Sequence, residues 1–167
     1  CPGSRPGRDF NRFGYLSETL GIALVGCGTV GGGAADLLLH HQDRLAARAG
    51  RPLSLRRVVV RDLGADHIPH LDADSSAALR SGEAANPSQA RALALSGELI
   101  DELRGADTLV IGAPMYNFGI STTLKAWFDY VLRAGITFSY SEAGPKGLMT
   151  GKRALAVLLA PLAVLIG

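Results

Sequence analysis

The chain has 167 residues, a formal net charge of +2 and 47% apolar residues, enough to bury the core of one domain without metal or disulfide support. Its 21 glycines and 8 prolines stay below the composition of a disordered chain, and its scattered arginines argue against a nucleic-acid partner. The apolar run at residues 154–166 contains Pro161 and is too short for a membrane span, so we expect no membrane association.

The first third of the chain predicts a strand, a helix and a second strand. Residues 1–20 open with a polar stretch and are expected to form a flexible leader. GIALVG at residues 21–26 predicts a strand buried on both faces. The spacing of apolar residues over 29–49 predicts a helix, and LRRVVV at residues 55–60 predicts the second strand.

The middle of the chain holds an irregular stretch and a well-marked helix. Residues 61–74 are rich in turn-forming residues and acids without a period, which predicts a long irregular loop. Asn86, Pro87 and Gln89 form an N-cap, a first-turn proline and a capping-box glutamine. They predict a helix that runs to Arg104.

The last third predicts a third strand, TLVIGA at residues 108–113, followed by the loop PMYNFG at 114–119. A helix is predicted from Ser121 to a left-handed cap at Gly135. A long loop over residues 136–152 then leads to a fourth strand.

The alternation of strands and helices predicts the fold class. It favours a Rossmann-like three-layer α/β sandwich over residues 21–167 as a single domain, with a parallel sheet in the order 2-1-3-4. The fourth strand is predicted at residues 154–159, and a fifth strand is expected to be missing.

The loop GCGTVGGG at residues 26–33 fits the pattern G-x-G-x-x-G between a strand and a helix. Gly26 permits a tight turn, Gly28 lets backbone amides approach a phosphate, and Gly31 lets the helix pack closely on the strand. Thr29 adds a hydroxyl. These residues predict a phosphate-bearing ligand, and a purely structural glycine turn is the alternative.

Arg61 and Asp62 follow the second strand, where a dinucleotide site holds the adenosine ribose or its 2′-phosphate. Asp62 comes later after the glycine loop than the usual acid. A turn-capping aspartate is the alternative interpretation.

Residues 21–62 resemble the start of homoserine dehydrogenase through IALVGCGTVGGGAADLLL and RRVVVRDL. The resemblance implies an NAD(P)-binding half in which Gly26, Gly28 and Gly31 hold the phosphates. That family has its substrate and catalytic domain further along its chain, and nothing in this sequence matches it.

The loop PMYNFG combines groups suited to a planar ligand, which needs backbone amides in its plane and apolar contacts on its faces. Pro114, Met115, Tyr116, Asn117 and Phe118 at the end of a buried strand supply both. The alternative is a turn whose aromatic residues pack over the sheet.

Residues 60–158 resemble the FMN-dependent NADH azoreductases and quinone reductases of the flavodoxin-like class. The resemblance lies in RDLGADHIPHLDAD, LALSGELIDELRGADTLVIGAPMYNFGISTTLKAWFDYVLRAGITFSY and EAGPKGLMTGKRA. It implies a flavodoxin-like fold, FMN contacted by residues 114–118, NAD(P)H as electron donor and a quinone or azo substrate. It also implies a homodimer, with Phe138 and Tyr140 near the flavin and the dimer interface.

Two departures from that family concern the ends of the flavin site. The family's serine-containing phosphate loop is replaced by the glycine loop, and its ring-binding segment, last strand and last helix are replaced by LLAPLAVLIG. We interpret the chain as a hybrid, or chimera, in which a dehydrogenase-like unit at residues 21–62 joins an azoreductase-like part at residues 60–158.

The leading functional hypothesis is an FMN-dependent NAD(P)H reductase. Because the flavin carries the reaction, no catalytic side chain is assigned. The alternatives are an NAD(P)-binding module without its catalytic domain and an inactive hybrid scaffold. Cys1 and Cys27 form neither a disulfide framework nor a metal spacing, and the four histidines form no metal set. A cytoplasmic protein without a metal is therefore expected.

Overall fold

The computed structural model describes residues 19–26, 29–50 and 54–159. The elements follow in the order β1 (Thr19–Val25), α1 (Thr29–His40), α2 (Gln42–Ala49), β2 (Ser54–Arg61), α3 (Ala73–Ser81), α4 (Pro87–Arg104), β3 (Thr108–Tyr116), β4 (Gly119–Ile120), α5 (Thr122–Val131), β5 (Phe138–Ser141), β6 (Gly144–Gly147) and β7 (Arg153–Leu159). Most of the predicted leader lies outside the described residues. Thr19 and Leu20, which were included in it, belong to β1.

The main sheet has four parallel strands in the order β2-β1-β3-β7, with β4 added antiparallel to the end of β3. Leu24 is in register with Val60 of β2, and Val25 is in register with Ile111 of β3, which is in turn opposite Ala156 of β7. Since β7 is the predicted fourth strand, the predicted order 2-1-3-4 is confirmed. The expected lack of a fifth strand concerns residues outside the described part of the chain.

Asp107 joins three strands at the amino-terminal edge of the sheet. Its carboxylate accepts a hydrogen bond from Gly21 N at 2.6 Å, and its own N–H donates to Gly21 O at 2.8 Å. The Asp107 carbonyl accepts from Arg153 N at 3.0 Å. These bonds fix β1, β3 and β7 relative to one another near this edge of the sheet.

The helix predicted over residues 29–49 is divided into α1 and α2 at His41, whose backbone leaves the helical region at φ −125° and ψ 40°. The Asp36 carboxylate lies 3.0 Å from His40 Nδ1 and 3.4 Å from His41 Nε2, so it brings both imidazoles to the break. Gly50, at φ 67°, caps α2 in the left-handed conformation.

The irregular loop predicted over residues 61–74 ends in α3, which the sequence pattern did not reveal. Asp72 caps α3 by accepting a hydrogen bond from Ser75 N at 2.7 Å. The predicted start of α4 is confirmed, since Asn86 Oδ1 accepts from Gln89 N at 2.9 Å. The Gln89 side chain accepts from Ala85 N at 2.7 Å, one residue before the partner that a capping box uses.

The predicted helix cap at Gly135 is wrong, because α5 ends at Val131. The Thr137 hydroxyl donates to Val131 O at 2.7 Å and accepts from Arg133 N at 2.9 Å, which closes the helix earlier. Gly135 is left-handed at φ 78°, but it turns the chain into the hairpin β5-β6. That hairpin lies inside the stretch 136–152, which had been predicted as a loop.

The hydrophobic core lies where α4 and α5 pack on the sheet. Its largest fully buried side chains include Leu99, Ile100, Leu124, Trp127 and Tyr130. The Ser96 hydroxyl of α4 donates to the carbonyl of Tyr130 in α5 at 2.7 Å, which ties the two helices together inside the core. α1 contacts β1 and β3, so helices flank the sheet as the predicted fold class requires.

None of the helices in the described part of the chain has the length and apolar character needed to cross a membrane.

Candidate functional site

The candidate site lies at the carboxyl ends of β1 and β3, which are adjacent parallel strands in the middle of the sheet. Val25 and Ile111 form the last paired positions of the two strands. Gly26 follows β1 directly, and β3 continues beyond Ile111 to Tyr116. In an open α/β sheet, ligands bind outside the carboxyl ends of such strands. The glycine loop and the PMYNFG segment both start from this edge.

Gly26 is held between two neighbouring strands by its backbone. Its N–H donates to Arg61 O of β2 at 2.9 Å, and its φ is +85°. A Cβ on Gly26 would lie 2.6 Å from Gly112 O of β3. Both the conformation and the lack of space therefore require glycine at this position.

Gly112 completes the same contact from the side of β3 and was not among the predicted site residues. A Cβ built on it would lie 2.8 Å from Gly26 O. The signal that could have revealed it is a glycine inside the apolar strand TLVIGA, since glycine in a strand interior often marks a close backbone approach.

Two of the remaining predicted residues of the glycine loop lie at the start of α1. Gly28 is outside the described residues, and Thr29 and Gly31 belong to the first turn of α1. The first N–H groups of a helix have no partner within the helix and favour an anion. The phosphate roles of these residues stay a prediction.

The segment PMYNFG was predicted as a loop, but the structure forms it as the tip of a β-hairpin. Pro114, Met115 and Tyr116 continue β3, and the chain returns as β4 with Tyr116 opposite Gly119. The two turn residues, Asn117 and Phe118, have φ values of 46° and 63°. Such a tight turn suits the twist of a hairpin, and it lengthens β3 by pairing it with β4.

The hairpin tip is strained and exposes its aromatic residues to water. Phe118 is 82% exposed and Tyr116 is 62% exposed. An aromatic residue at positive φ is unfavourable in itself, and residues held in such conformations cluster at ligand sites. The alternative, in which the aromatic residues pack over the sheet, does not hold for Tyr116 and Phe118.

A second pair of aromatic residues lies on the hairpin β5-β6. The rings of Phe138 and Tyr140 meet edge to face with centroids 5.3 Å apart, and Tyr140 is largely exposed. The position near a flavin and a dimer interface that the resemblance implies for these residues stays a prediction.

Arg61 is engaged inside the molecule. Its guanidinium bonds to Glu102 through two nitrogens and lies 2.5 Å from Glu98 Oε1, with most of the side chain buried. Burial lowers the pKa of Arg61, but the hydrogen bonds and charges of Glu102 and Glu98 outweigh it and raise the pKa above its usual value. The guanidinium is therefore committed to α4 and does not face a ribose phosphate.

Asp62 has the turn-capping role that was the alternative to a cofactor contact. Its carboxylate accepts from Gly64 N at 2.9 Å, and its carbonyl accepts from Ala65 N and Asp66 N. These bonds form a turn directly after β2. In the part of the chain that the structure describes, no group of three or more His, Cys, Asp or Glu side chains is arranged to hold a metal ion.

Comparison with protein families gives a match over most of the chain. A family model described as "Flavodoxin-like fold" matches residues 39–160. The match begins in α1, after the glycine loop, and it extends through β7.

Curated relatives match about three fifths of the chain. The chain is 57% identical over 100 residues to the FMN-dependent NADH:quinone oxidoreductase of Shewanella loihica, which is 60% of this chain and 51% of the relative. It is 55% identical over 105 residues to the protein of the same name from Escherichia coli O6:K15:H31, covering 62% and 52%. The chain thus spans about half the length of the curated relatives it matches.

Solved structures match a larger share of the chain at lower identity. An azoreductase from Bacillus anthracis strain Sterne superimposes with a TM-score of 0.62 at 24% identity, covering 88% of this chain and 74% of the other. An FMN-dependent NADH-azoreductase from Bacillus anthracis strain Ames Ancestor, solved with FMN, gives a TM-score of 0.61 at 20% identity, covering 84% and 68%. These structures show the fold. Together with the curated relatives, they confirm the predicted azoreductase and quinone reductase resemblance over part of the chain.

Proposed function

Because the chain belongs to the flavodoxin-like fold family, we propose that it is an FMN-dependent NAD(P)H reductase that delivers two electrons to a quinone or an azo compound. The observation that carries the proposal is the strained, exposed tip of the β3-β4 hairpin, with Asn117 and Phe118 at positive φ, beside the end of β1. The names of relatives that are 54–58% identical over about 100 residues support it.

We place the phosphate end of FMN at the chain segment that follows β1. Gly26 and Gly112 meet through their backbones, and a Cβ on either would fill the contact. Since Gly26 N is already bonded to Arg61 O, the amides offered to a phosphate are those that come after it. We assign this role to Gly28 and to Thr29 and Gly31 in the first turn of α1, with Gly26 making the turn.

The ring end of FMN fits the hairpin. Pro114, Met115, Tyr116, Asn117 and Phe118 would hold the ring, with apolar side chains against it and main-chain groups at its edge. When bound, FMN supplies the nitrogen that accepts a hydride and passes two electrons on. Covering the ring with Tyr116 and Phe118 would bury aromatic surface that is now exposed, and it would exclude water from the reacting edge.

A second candidate function is an NAD(P)-binding module of the homoserine dehydrogenase type. It is based on the glycine loop at residues 26–33, which lies before the family match that starts at residue 39. In this proposal the chain is a hybrid, and the dinucleotide binds at the loop and extends past Asp62. Arg61 does not contribute to binding a 2′-phosphate in this proposal, because its guanidinium forms ion pairs with Glu98 and Glu102.

Titration of the purified chain separates these functions. We expect FMN fluorescence to be quenched on binding, and we expect NADH or NADPH to bleach the bound flavin in the absence of oxygen. Binding of NADPH without binding of FMN would favour the dinucleotide module. If neither FMN nor NADPH binds, the result would favour the inactive hybrid scaffold.

The assembly we propose is a cytoplasmic homodimer. Support comes from β7, which pairs with β3 and leaves Leu155 and Leu158 exposed on its two faces. The cytoplasmic location rests on the sparse cysteines alone. Light scattering that gives one chain mass at micromolar concentration would contradict the dimer.

A further inference from the structure

Gly112 lies in the interior of β3, where neither strand geometry nor chain reversal calls for glycine. It is buried, and a Cβ built on it would lie 2.8 Å from Gly26 O, 3.7 Å from Gly26 C and 3.7 Å from Val25 O. All three atoms belong to the backbone. A side chain at residue 112 could therefore be accommodated only by moving the main chain at the end of β1.

The end of β1 has little freedom to move in response. On the side away from Gly112, Gly26 N is bonded to Arg61 O at 2.9 Å, and one residue earlier Val25 is in register with both Arg61 and Ile111. A shift of Gly26 away from β3 would compress or break the bond to β2. The first turn of α1 begins three residues later, at Thr29, so such a shift also reaches the start of that helix.

We infer that Gly112 is a positioning residue: its missing side chain lets Gly26 lie against β3 ahead of the first turn of α1, and this placement sets the affinity for the phosphate of the flavin. This inference rests on the proposed function. Gly112 lies against Gly26, the first residue of the glycine loop. It comes two residues before Pro114, the first residue assigned to the flavin ring. Replacing it therefore disturbs the phosphate end of the site more than the ring end.

The test compares FMN with riboflavin, which has the same ring and lacks the phosphate. In Gly112→Ala we expect FMN to bind about tenfold more weakly and riboflavin to bind within about twofold of its unaltered affinity. Gly97→Ala is the matched control, because a Cβ on this α4 glycine meets nothing within 4 Å. Both affinities should be unchanged in that variant.

A general loss of structure predicts a different result. If Gly112→Ala weakens FMN and riboflavin by the same factor, Gly112 is not a positioning residue for the phosphate. If the unaltered chain binds neither flavin, both the proposed function and this inference are wrong. Binding of FMN with an unchanged preference over riboflavin in Gly112→Ala overturns the inference alone.

A measurement on the unaltered chain decides the matter if Gly112→Ala does not fold. In a ¹⁵N-labelled sample, the amide resonance of Gly112 should shift more on adding FMN than on adding riboflavin, since it reports the segment that holds the phosphate. Equal shifts with the two flavins would overturn the inference.

Discussion

Leu99 of α4 and Leu37 of α1 both lie in helices that flank the sheet, yet Leu99 is 0% exposed and Leu37 is 40% exposed. The difference extends to the whole of each region. α4 and α5 contribute most of the helical side chains in the core, whereas no side chain described between residues 32 and 48 is buried. The core thus forms between the sheet and the helices α4 and α5, and it includes Val25 of β1. α1 contacts β1 and β3 and follows the close approach of Gly26 to Gly112 along the chain, yet α1 and α2 add no described buried side chain to that core.

The comparison shows that apolar content does not decide burial. Leu37, Leu38 and Leu39 are consecutive, and successive helical residues point about 100° apart, so the three cannot all face the sheet. In α5, Leu124, Trp127 and Val131 follow the helical period, and all are buried. The spacing of apolar residues made α5 a better prediction than α1.

Truncation of one leucine on each side of the sheet should give the largest difference. We expect Leu99→Ala to lower the free energy of unfolding by about 2–5 kcal/mol because it opens a cavity in the core. Leu37→Ala, the matched control, should cost less than about 1 kcal/mol because the side chain is already partly in water. Urea unfolding of both variants measures this. Equal losses would mean that α1 is as tightly packed as α4.

The close approach of Gly26, directly after β1, to Gly112 in β3 should give the next largest change in the free energy of unfolding. Gly26→Ala combines a positive φ with a Cβ 2.6 Å from Gly112 O, and we expect it to cost about 1–3 kcal/mol. Gly33→Ala in α1 has nothing within 4 Å of its Cβ and should gain about 0.5–1 kcal/mol. A neutral Gly26→Ala in thermal unfolding would show that the two strands are not held together there.

The smallest effect concerns the cap of α3 in the core-forming region. The hydrogen bond from Ser75 N lowers the pKa of Asp72 below its usual value. A lowered folded-state pKa stabilises the protein above the unfolded-state pKa, and this contribution is lost as the pH falls through the folded-state value.

Asp72→Asn keeps the capping oxygen but cannot titrate. The Tm of the unaltered chain should therefore fall faster than that of Asp72→Asn between about pH 5 and about pH 3. Parallel Tm curves over that interval would show that the Asp72 cap contributes no pH dependence.

The sequence predicted the parallel strand order and α4 because their signals are local. Apolar strands alternate with helices, and Asn86 marks the start of α4 within four residues of chain. The hairpin β3-β4 escaped prediction because its turn is Asn117-Phe118, whereas two left-handed residues normally call for Asn-Gly. The pairing of β3 with β4 offsets the unfavourable backbone conformation of that turn.

The missed parts of the site have the same cause. Gly112 matters only because β1 and β3 lie side by side, and its spacing from Gly26 in the sequence gives no hint of the contact. Arg61 looked available for a ribose phosphate because its partners Glu98 and Glu102 come from a helix much later in the chain. The roles of Gly112 and Arg61 depend on contacts between residues far apart in the sequence, which local sequence patterns do not reveal.

The central claim is that the β3-β4 hairpin holds a flavin ring, and the most direct test is the affinity of a variant carrying Tyr116→Ala and Asn117→Ala for FMN and for NADPH. The account predicts that FMN binds at least about tenfold more weakly, while the affinity for NADPH measured in the absence of FMN does not change. Gly28→Val, which fills the space a phosphate needs, should weaken both ligands. If the hairpin variant binds FMN as the unaltered chain does and Gly28→Val abolishes NADPH binding, the flavin assignment is wrong and the dinucleotide module is correct.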